Sequence, residues 1–237
     1  DWSSDVCSSD LRERDPASVA EVNVGAGGLR SAGGDVVLRA ADAIRLGGAV
    51  ESGAGALTLI SGAAIEQLAC RIASAGVRSE SVGDTTLAAA GNAIGRFAAV
   101  SGGDVSLVNG VALTLGASDV TGDLDIENTQ AVGVADRVVA GGRVRLVSAA
   151  GGIDGAGGRI EAGGLNVEAA TGIGGGTALE TQVATLSVDN TTSGDVRVVN
   201  AGDVVLAGRF RNQARGGALT LTVDDGAIDT GDAGVSS

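Results

Sequence analysis

A five-residue pattern, in which a small residue is followed by aliphatic residues at alternate positions, recurs along the chain. One copy is Gly103-Asp104-Val105-Ser106-Leu107. The copies begin at Gly34, Gly55, Gly83, Gly103, Gly122, Gly142, Gly163, Ala184, Gly202 and Gly217. The first eight are separated by 21, 28, 20, 19, 20, 21 and 21 residues. Because apolar residues alternate with other residues, each copy predicts a β-strand with one buried face.

Two further apolar positions follow the copies at nearly fixed offsets. The first lies ten or eleven residues after the start of a copy, at Ile44, Ile65, Ile94, Leu113, Val132, Ile153, Ile173 and Ile228. The second lies sixteen to eighteen residues after it, at Val50, Ile72, Val100, Val120, Val138, Ile160 and Leu179. Three short strands in about twenty residues predict an all-β solenoid, a parallel β-helix whose coils pair with their neighbours. About ten coils, each rising roughly 4.8 Å, would form a rod near 50 Å long.

Other folds fit the pattern less well. Glycine and β-branched residues are poor helix formers, and no stripe with a period of 3.6 residues is present. A β-sandwich would need hairpin turns at a spacing of about 8–12 residues. The sequence therefore favours the solenoid.

Two irregular stretches predict departures from this repeat. The 28-residue gap between Gly55 and Gly83 indicates an inserted loop or short extra strand at residues 77–82. Near the C-terminus, a copy at Gly194 precedes the copy at Gly202 by eight residues. The segment 209–215, which holds three arginines and Phe210, then breaks the pattern. We expect tolerated surface insertions at both places.

The composition agrees with a narrow coil. Of 237 residues 41 are glycine, 44% are hydrophobic and only 1% are aromatic. Small aliphatic side chains would stack in the core, and glycines would serve corners where neighbouring coils approach closely. The net charge is −13, and all 16 basic residues are arginine, so nucleic acid is a disfavoured partner. We find no run of eighteen apolar residues and expect no transmembrane segment.

Residues 1–11 differ from the rest of the chain. They contain the sole tryptophan and one of the two cysteines, but no glycine. The stretch resembles the translated read-through of a sequencing adapter, so we assign it as foreign and treat residues 12–237 as a single β-helix segment. Because methionine and a signal peptide are both absent, we expect a fragment of a longer protein. Cys70 is then the sole native cysteine, and we expect a small, buried or half-buried side chain there.

Several segments are similar to repeats of filamentous-haemagglutinin-like proteins: Asn92-Ala93-Ile94-Gly95, Ser101 to Leu107, and Ala112 to Gly116. The resemblance runs from about Val22 to the end. The passenger domains of autotransporters have similar low-complexity repeats. Members of this family are large bacterial exoproteins, usually adhesins, which leave the cell by two-partner secretion and form long right-handed β-helices. The resemblance implies a non-enzymatic structural or adhesive rod, secreted or on the cell surface. It also implies an outer-membrane secretion partner for the full-length protein and a glycan or protein receptor.

A column of aspartates is the strongest candidate site. Asp84, Asp104 and Asp123 occupy the second position of successive copies, and Arg143 follows them. Strands in register would place these carboxylates about 5 Å apart on one outer face, a spacing suited to a cation. Some β-helix polysaccharide lyases resemble this arrangement. The alternative function is therefore a lyase or hydrolase in which the aspartates bind metal and Arg143 or Arg145 is the base.

Structural roles for the same residues are simpler. Aspartate after glycine is a favoured turn pair, in which the carboxylate bonds its own backbone. Arg143 and Arg145 would pair with Asp123 and Asp125 on the preceding coil, and such pairs contribute about 0.2–1 kcal/mol. Without histidine, lysine or tyrosine, acid–base chemistry would depend on carboxylates and arginine alone. We therefore predict no catalytic residue, no cofactor and no metal.

Overall fold

The chain folds into a β-solenoid. A computed structural model describes residues 21–231 and 234–236, and the segment 1–11 that we assign as foreign lies outside these ranges. The described part has strands but no helix, and the strands form one parallel sheet that winds through about ten turns of roughly 21 residues. The predicted fold class is confirmed.

The 24 strands follow one another around the coils and are numbered in chain order. They are β1 Val22–Val24, β2 Leu29–Arg30, β3 Val36–Ala40, β4 Ile44–Leu46, β5 Val50–Ser61, β6 Ile65–Gln67, β7 Ile72–Ser81, β8 Thr85–Leu87, β9 Ala93–Ser101, β10 Val105–Asn109, β11 Leu113–Leu115, β12 Ser118–Val120, β13 Leu124–Asn128, β14 Val132–Val134, β15 Arg137–Ala140, β16 Arg143–Ser148, β17 Ile153–Asp154, β18 Arg159–Ala169, β19 Leu179–Asn190, β20 Val196–Ala201, β21 Val204–Asn212, β22 Leu219–Asp224, β23 Ile228–Asp229 and β24 Gly234–Ser236.

The middle coils each contain three strands, as predicted. One coil consists of β10, β11 and β12, and the next of β13, β14 and β15. In several other coils the last strand continues around the corner into the first strand of the following coil. This produces long strands such as β18 and β19, which pair over ten residue positions.

One face of the solenoid, which we name face A, runs the length of the described rod. Its strands are β1, β4, β6, β8, β10, β13, β16, the C-terminal halves of β18 and β19, β21, β23 and β24. Each inward-facing residue stacks on its equivalent in the next coil, as Val105 does on Leu124 and Leu124 on Val144. These side chains are at most 2% exposed, so they form a continuous aliphatic core.

The predicted insertion at residues 77–82 is wrong. Val77 lies inside β7, is 3% exposed, and pairs in register with Leu57 and Phe97. The next copy of the motif instead lies on face A, where Thr85 pairs with Ile65 and Val105. The 28-residue gap is therefore one coil of about twenty residues plus an eight-residue step to the next face. All faces bury alternate residues, so the motif can occupy any of them.

The same step explains the two copies near the C-terminus. Val196 pairs with Leu219 on one face, whereas Leu206 pairs with Leu186 on face A. The segment 209–215 does not project as a separate loop, because its first four residues belong to β21. The interruption is a bulge in which β21 carries two extra residues, and beyond it Phe210 pairs with Val188 and is 3% exposed.

Buried asparagines line the corners of the coils, a feature that our sequence analysis missed. The Asn109 amide donates to Asn128 Oδ1 at 2.8 Å, and its own Oδ1 accepts from the Ile94 backbone N–H at 2.8 Å. Asn190 donates in the same way to Asn212 Oδ1 at 2.7 Å. The signal was available, because Asn109, Asn128 and Asn190 each lie six residues after the start of a motif copy.

Two expectations about the corners have different outcomes. A Cβ at Gly62 would lie 1.8 Å from the Ala41 carbonyl oxygen, so close coil contact requires glycine there, as predicted. Cys70, in contrast, is exposed at a corner with a φ of 59°, so the expected burial is wrong. The corner backbone turns its side chain away from the core. Across the described ranges, nothing helical is long and apolar enough to cross a membrane.

Candidate functional site

The aspartate column lies on face A as predicted, but its carboxylates bond to neighbouring coils. The Asp104 backbone N–H donates to Asp84 Oδ1 at 2.9 Å, and the Asp123 N–H donates to Asp104 Oδ1 at 2.8 Å. The Arg143 N–H donates to Asp123 Oδ1 at 2.7 Å. Each aspartate thus satisfies a backbone donor of the following coil, rather than its own turn as the sequence suggested.

The same arrangement recurs elsewhere on the rod. Asp35 Oδ1 accepts from the Ala56 N–H at 2.8 Å, and Asp195 Oδ1 accepts from the Ala218 N–H at 2.9 Å. Asp203 Oδ1 accepts from the Ala227 N–H at 2.8 Å. Within residues 21–231 and 234–236, no group of three or more histidine, cysteine, aspartate or glutamate side chains is placed to hold a metal ion. The recurrence favours a structural role for the column.

The two arginines that the lyase alternative would use as a base are both ion-paired. Arg145 Nη1 donates to Asp125 Oδ1 at 2.8 Å and to Glu127 Oε1 at 2.7 Å. Partial burial opposes the shift, but the hydrogen bonds to Glu127 and Asp125 raise the pKa of the Arg145 guanidinium. A base must give up its proton, so this environment disfavours that role. Arg143 Nη2 lies 3.6 Å from Asp123 Oδ2, and the predicted pairing with the preceding coil is confirmed for both arginines.

A shallow groove on face A is the other candidate site. It encloses about 410 Å³, and its polar lining consists mainly of Arg143, Asn166, Glu168, Thr185, Asp189 and Arg209. A smaller depression of about 220 Å³ continues from Arg143 toward Asp104. Arg143 lines both depressions, and neither is predicted from the sequence.

Two local features of the sequence create the groove. Arg143, Gly164 and Thr185 occupy equivalent outward positions on successive coils, and Gly164 contributes no side chain between the other two. The far wall is the bulge of β21, where Gly208 has a φ of 89°, a conformation that favours glycine. Ser187 stabilises the bulge, because its hydroxyl donates to the Arg209 carbonyl at 3.1 Å.

Asp189 also stabilises the β21 bulge, through ionic hydrogen bonds. Its side chain is 8% exposed and accepts two hydrogen bonds at 2.8 Å from the Arg211 guanidinium. Arg209 Nη1 and Gln213 Nε2 each donate to it at 3.1 Å. The hydrogen bonds from Arg211 lower the pKa of the Asp189 carboxyl against the opposing effect of burial, and those from Gln213 and Arg209 add to the shift. The bulge is therefore held by a charged cluster.

Other polar side chains of the groove make no hydrogen bond to the described part of the protein. The side chains of Asn166, Glu168 and Thr185 make no hydrogen bond to any residue that the structure describes, and the Arg143 guanidinium has only its 3.6 Å ion pair. Most other arginines of the rod are engaged more closely, as Arg71 is with Glu51 at 2.7 Å. The groove thus presents donors and acceptors to solvent.

Comparison with known proteins adds no relative. No family model matches the chain, and searches of curated proteins and of solved structures also give no match.

Proposed function

We propose that this chain is a segment of the rod of a large bacterial exoprotein of the filamentous-haemagglutinin-like kind. In this proposal the rod is non-enzymatic and adhesive, and it is secreted or displayed on the cell surface. The observation that carries it is the continuous solenoid of about ten turns, whose coils repeat without an intervening domain. A solenoid places binding surfaces at a distance, since each coil contacts only its neighbours and the rod lengthens with each coil.

The surface chemistry supports the same proposal. Excess acidic charge keeps a long rod soluble and separate from its copies. The motif copies from Ser101 to Leu107 and from Ala112 to Gly116, similar to those of the exoprotein family, form paired strands of the middle coils. An outer-membrane secretion protein and a glycan or protein receptor are the partners that this proposal entails.

The alternative, a lyase or hydrolase acting on acidic polysaccharide, has less support. Its candidate metal ligands are engaged with backbone N–H groups, and Arg145 holds its proton more tightly than usual. Incubation of the chain with polygalacturonate, with and without added Ca²⁺, tests it directly. Release of unsaturated or reducing ends that is lost in Asp104→Asn would establish the enzyme.

Antibodies raised against this chain test whether the proposed rod is secreted or displayed on the cell surface. In intact cells of the source bacterium we expect surface labelling, or protein in the culture medium. Inactivation of the outer-membrane secretion partner should abolish both signals. Labelling that requires lysed cells would overturn the proposal, and an antibody against a cytoplasmic protein is the control for lysis.

A further inference from the structure

We propose that the face A groove between Arg143 and the β21 bulge binds a carboxylate-bearing saccharide. The Arg143 guanidinium would hold the carboxylate, and Asn166, Glu168 and Thr185 would hydrogen-bond the hydroxyl groups. The inference rests on the proposed function, because it gives the adhesive rod a ligand class and a place to bind it.

The first argument is the shape of the groove at Gly164. A Cβ at this position would lie 2.5 Å from Thr185 Oγ1 and 3.9 Å from Arg143 Cγ. Gly164 is buried and places no side chain on the outer surface, so the Thr185 side chain packs against its backbone beside Arg143. The groove lies beside Asn166, and the β21 bulge at Ala207 and Gly208 lines its far side. A flat solenoid face would offer no such recess.

The second argument is charge. The chain has a net charge of −13 and repels anions over most of its surface. The groove lining holds Arg143 and Arg209 against Glu168 and Asp189, so its charges balance and it repels an anion less than the rest of the chain does. Arg209 and Arg211 are hydrogen-bonded to Asp189, whereas Arg143 has only its 3.6 Å ion pair with Asp123 and directs most of its donors to solvent. A guanidinium fork matches a carboxylate in two parallel hydrogen bonds.

The third argument excludes a peptide ligand. A peptide that adds to a sheet needs a strand edge, yet β18 beneath the groove is already paired with β16 and β19. Protein partners also rely on aromatic and apolar anchors, and the aromatic residues of the described part, Phe97 and Phe210, are buried. Short hydroxyl, amide and carboxylate groups suit a ligand that is itself rich in hydroxyl groups.

Isothermal titration calorimetry of the full chain with tetragalacturonate measures the binding affinity and tests the inference. We expect saturable binding at the groove, and little binding of the methyl-esterified, uncharged oligosaccharide. Arg143→Gln should weaken binding about tenfold or more, since it removes the charged hydrogen bonds to the carboxylate. The matched control is Arg39→Gln, which removes an exposed arginine on another side of the rod and should leave binding unchanged.

Gly164→Ser is a second variant, whose added side chain displaces the Thr185 hydroxyl from its place beside Arg143 while every polar group is kept. We expect it to weaken binding as Arg143→Gln does, while circular dichroism shows an unchanged fold. Absence of tetragalacturonate binding, or equal loss in Arg143→Gln and Arg39→Gln, would overturn the inference. Binding of a sulfated oligosaccharide that lacks carboxylates, in place of the uronate, would overturn the carboxylate assignment. Surface labelling of cells is independent of these variants, so the inference can fail while the proposed rod stands.

Discussion

At the scale of single residues, Ser79 is a place where the core is not optimised. Its hydroxyl is buried without a hydrogen-bond partner, in register between Leu59 and Ala99. An unsatisfied buried hydroxyl costs about 1–3 kcal/mol. We therefore predict that Ser79→Ala raises the free energy of unfolding, measured as a higher midpoint in urea.

Ser101 is the matched control for this prediction. It is also buried, but its hydroxyl donates to the Gly83 carbonyl at 2.8 Å and accepts from Ser81 at 3.1 Å. Ser101→Ala should lower the urea midpoint, because it leaves the Gly83 carbonyl without this donor. A similar loss in both variants would show that the Ser79 hydroxyl has a partner in solution.

The charged cluster at Asp189 makes stability depend on pH. The folded state lowers the pKa of this carboxyl, chiefly through Arg211, so its contribution is present above the unfolded value of about 3.9. That contribution is lost as the pH falls through the folded pKa. We predict that Asp189→Asn lowers the melting temperature at pH 7 and that its difference from the native chain shrinks toward pH 2.

Asp224→Asn is the control, because Asp224 is an exposed carboxylate at the end of β22. It should leave the pH dependence of the melting temperature nearly unchanged. A constant difference between the native chain and Asp189→Asn at every pH would contradict an electrostatic role for the cluster.

At the scale of the strand, stability depends on which way each side chain points. Leu124 is 2% exposed within the core of face A, whereas Ser106 on the adjacent strand points outward. An aspartate at position 124 would bury a charge without a partner. We predict that Leu124→Asp abolishes the cooperative thermal transition, and that Ser106→Asp shifts it by a few degrees at most. Equal effects would mean that the strand register is wrong.

Alternation along the sequence was sufficient to predict such strands, but not the face on which each strand lies. Val77 and Thr85 illustrate the difficulty, since both begin a stretch of alternating residues and lie on different faces. Every face of a coil imposes the same inward alternation, so the choice depends on pairing with residues about twenty positions away. The exposed Cys70 was mispredicted for a related reason, because a corner is defined by backbone direction rather than by side-chain type.

The candidate site was less predictable than the fold. Spacing placed Asp84, Asp104 and Asp123 in one column, yet their role depends on backbone N–H groups of the next coil, which a sequence does not display. The groove depends on the absence of a side chain at Gly164 and on the two extra residues near Gly208. Both are small departures from a repeat, and only pairing between coils shows that they meet.

At the scale of the whole molecule, the solenoid is a one-dimensional stack in which each coil is stabilised by its two neighbours. The apolar side chains of β1 and β22 are only half-buried, whereas the inward residues of β10, β13 and β16 are at most 2% exposed. Amide protection reflects the free energy of local opening, which is lowest where burial is least. Opening should therefore begin at the outer coils and move inward.

We predict that hydrogen–deuterium exchange of this chain gives the strongest amide protection in β10, β13 and β16. Protection should decline toward β1 and β2 on one side and toward β22 and β23 on the other. Mass spectrometry of peptic fragments would resolve the gradient coil by coil. Leu124→Asp should remove the strong protection of β10, β13 and β16, because damage to a middle coil removes one neighbour from each adjacent coil. Uniform protection along the chain, in the native protein or in the variant, would show that the rod opens as one cooperative unit rather than coil by coil.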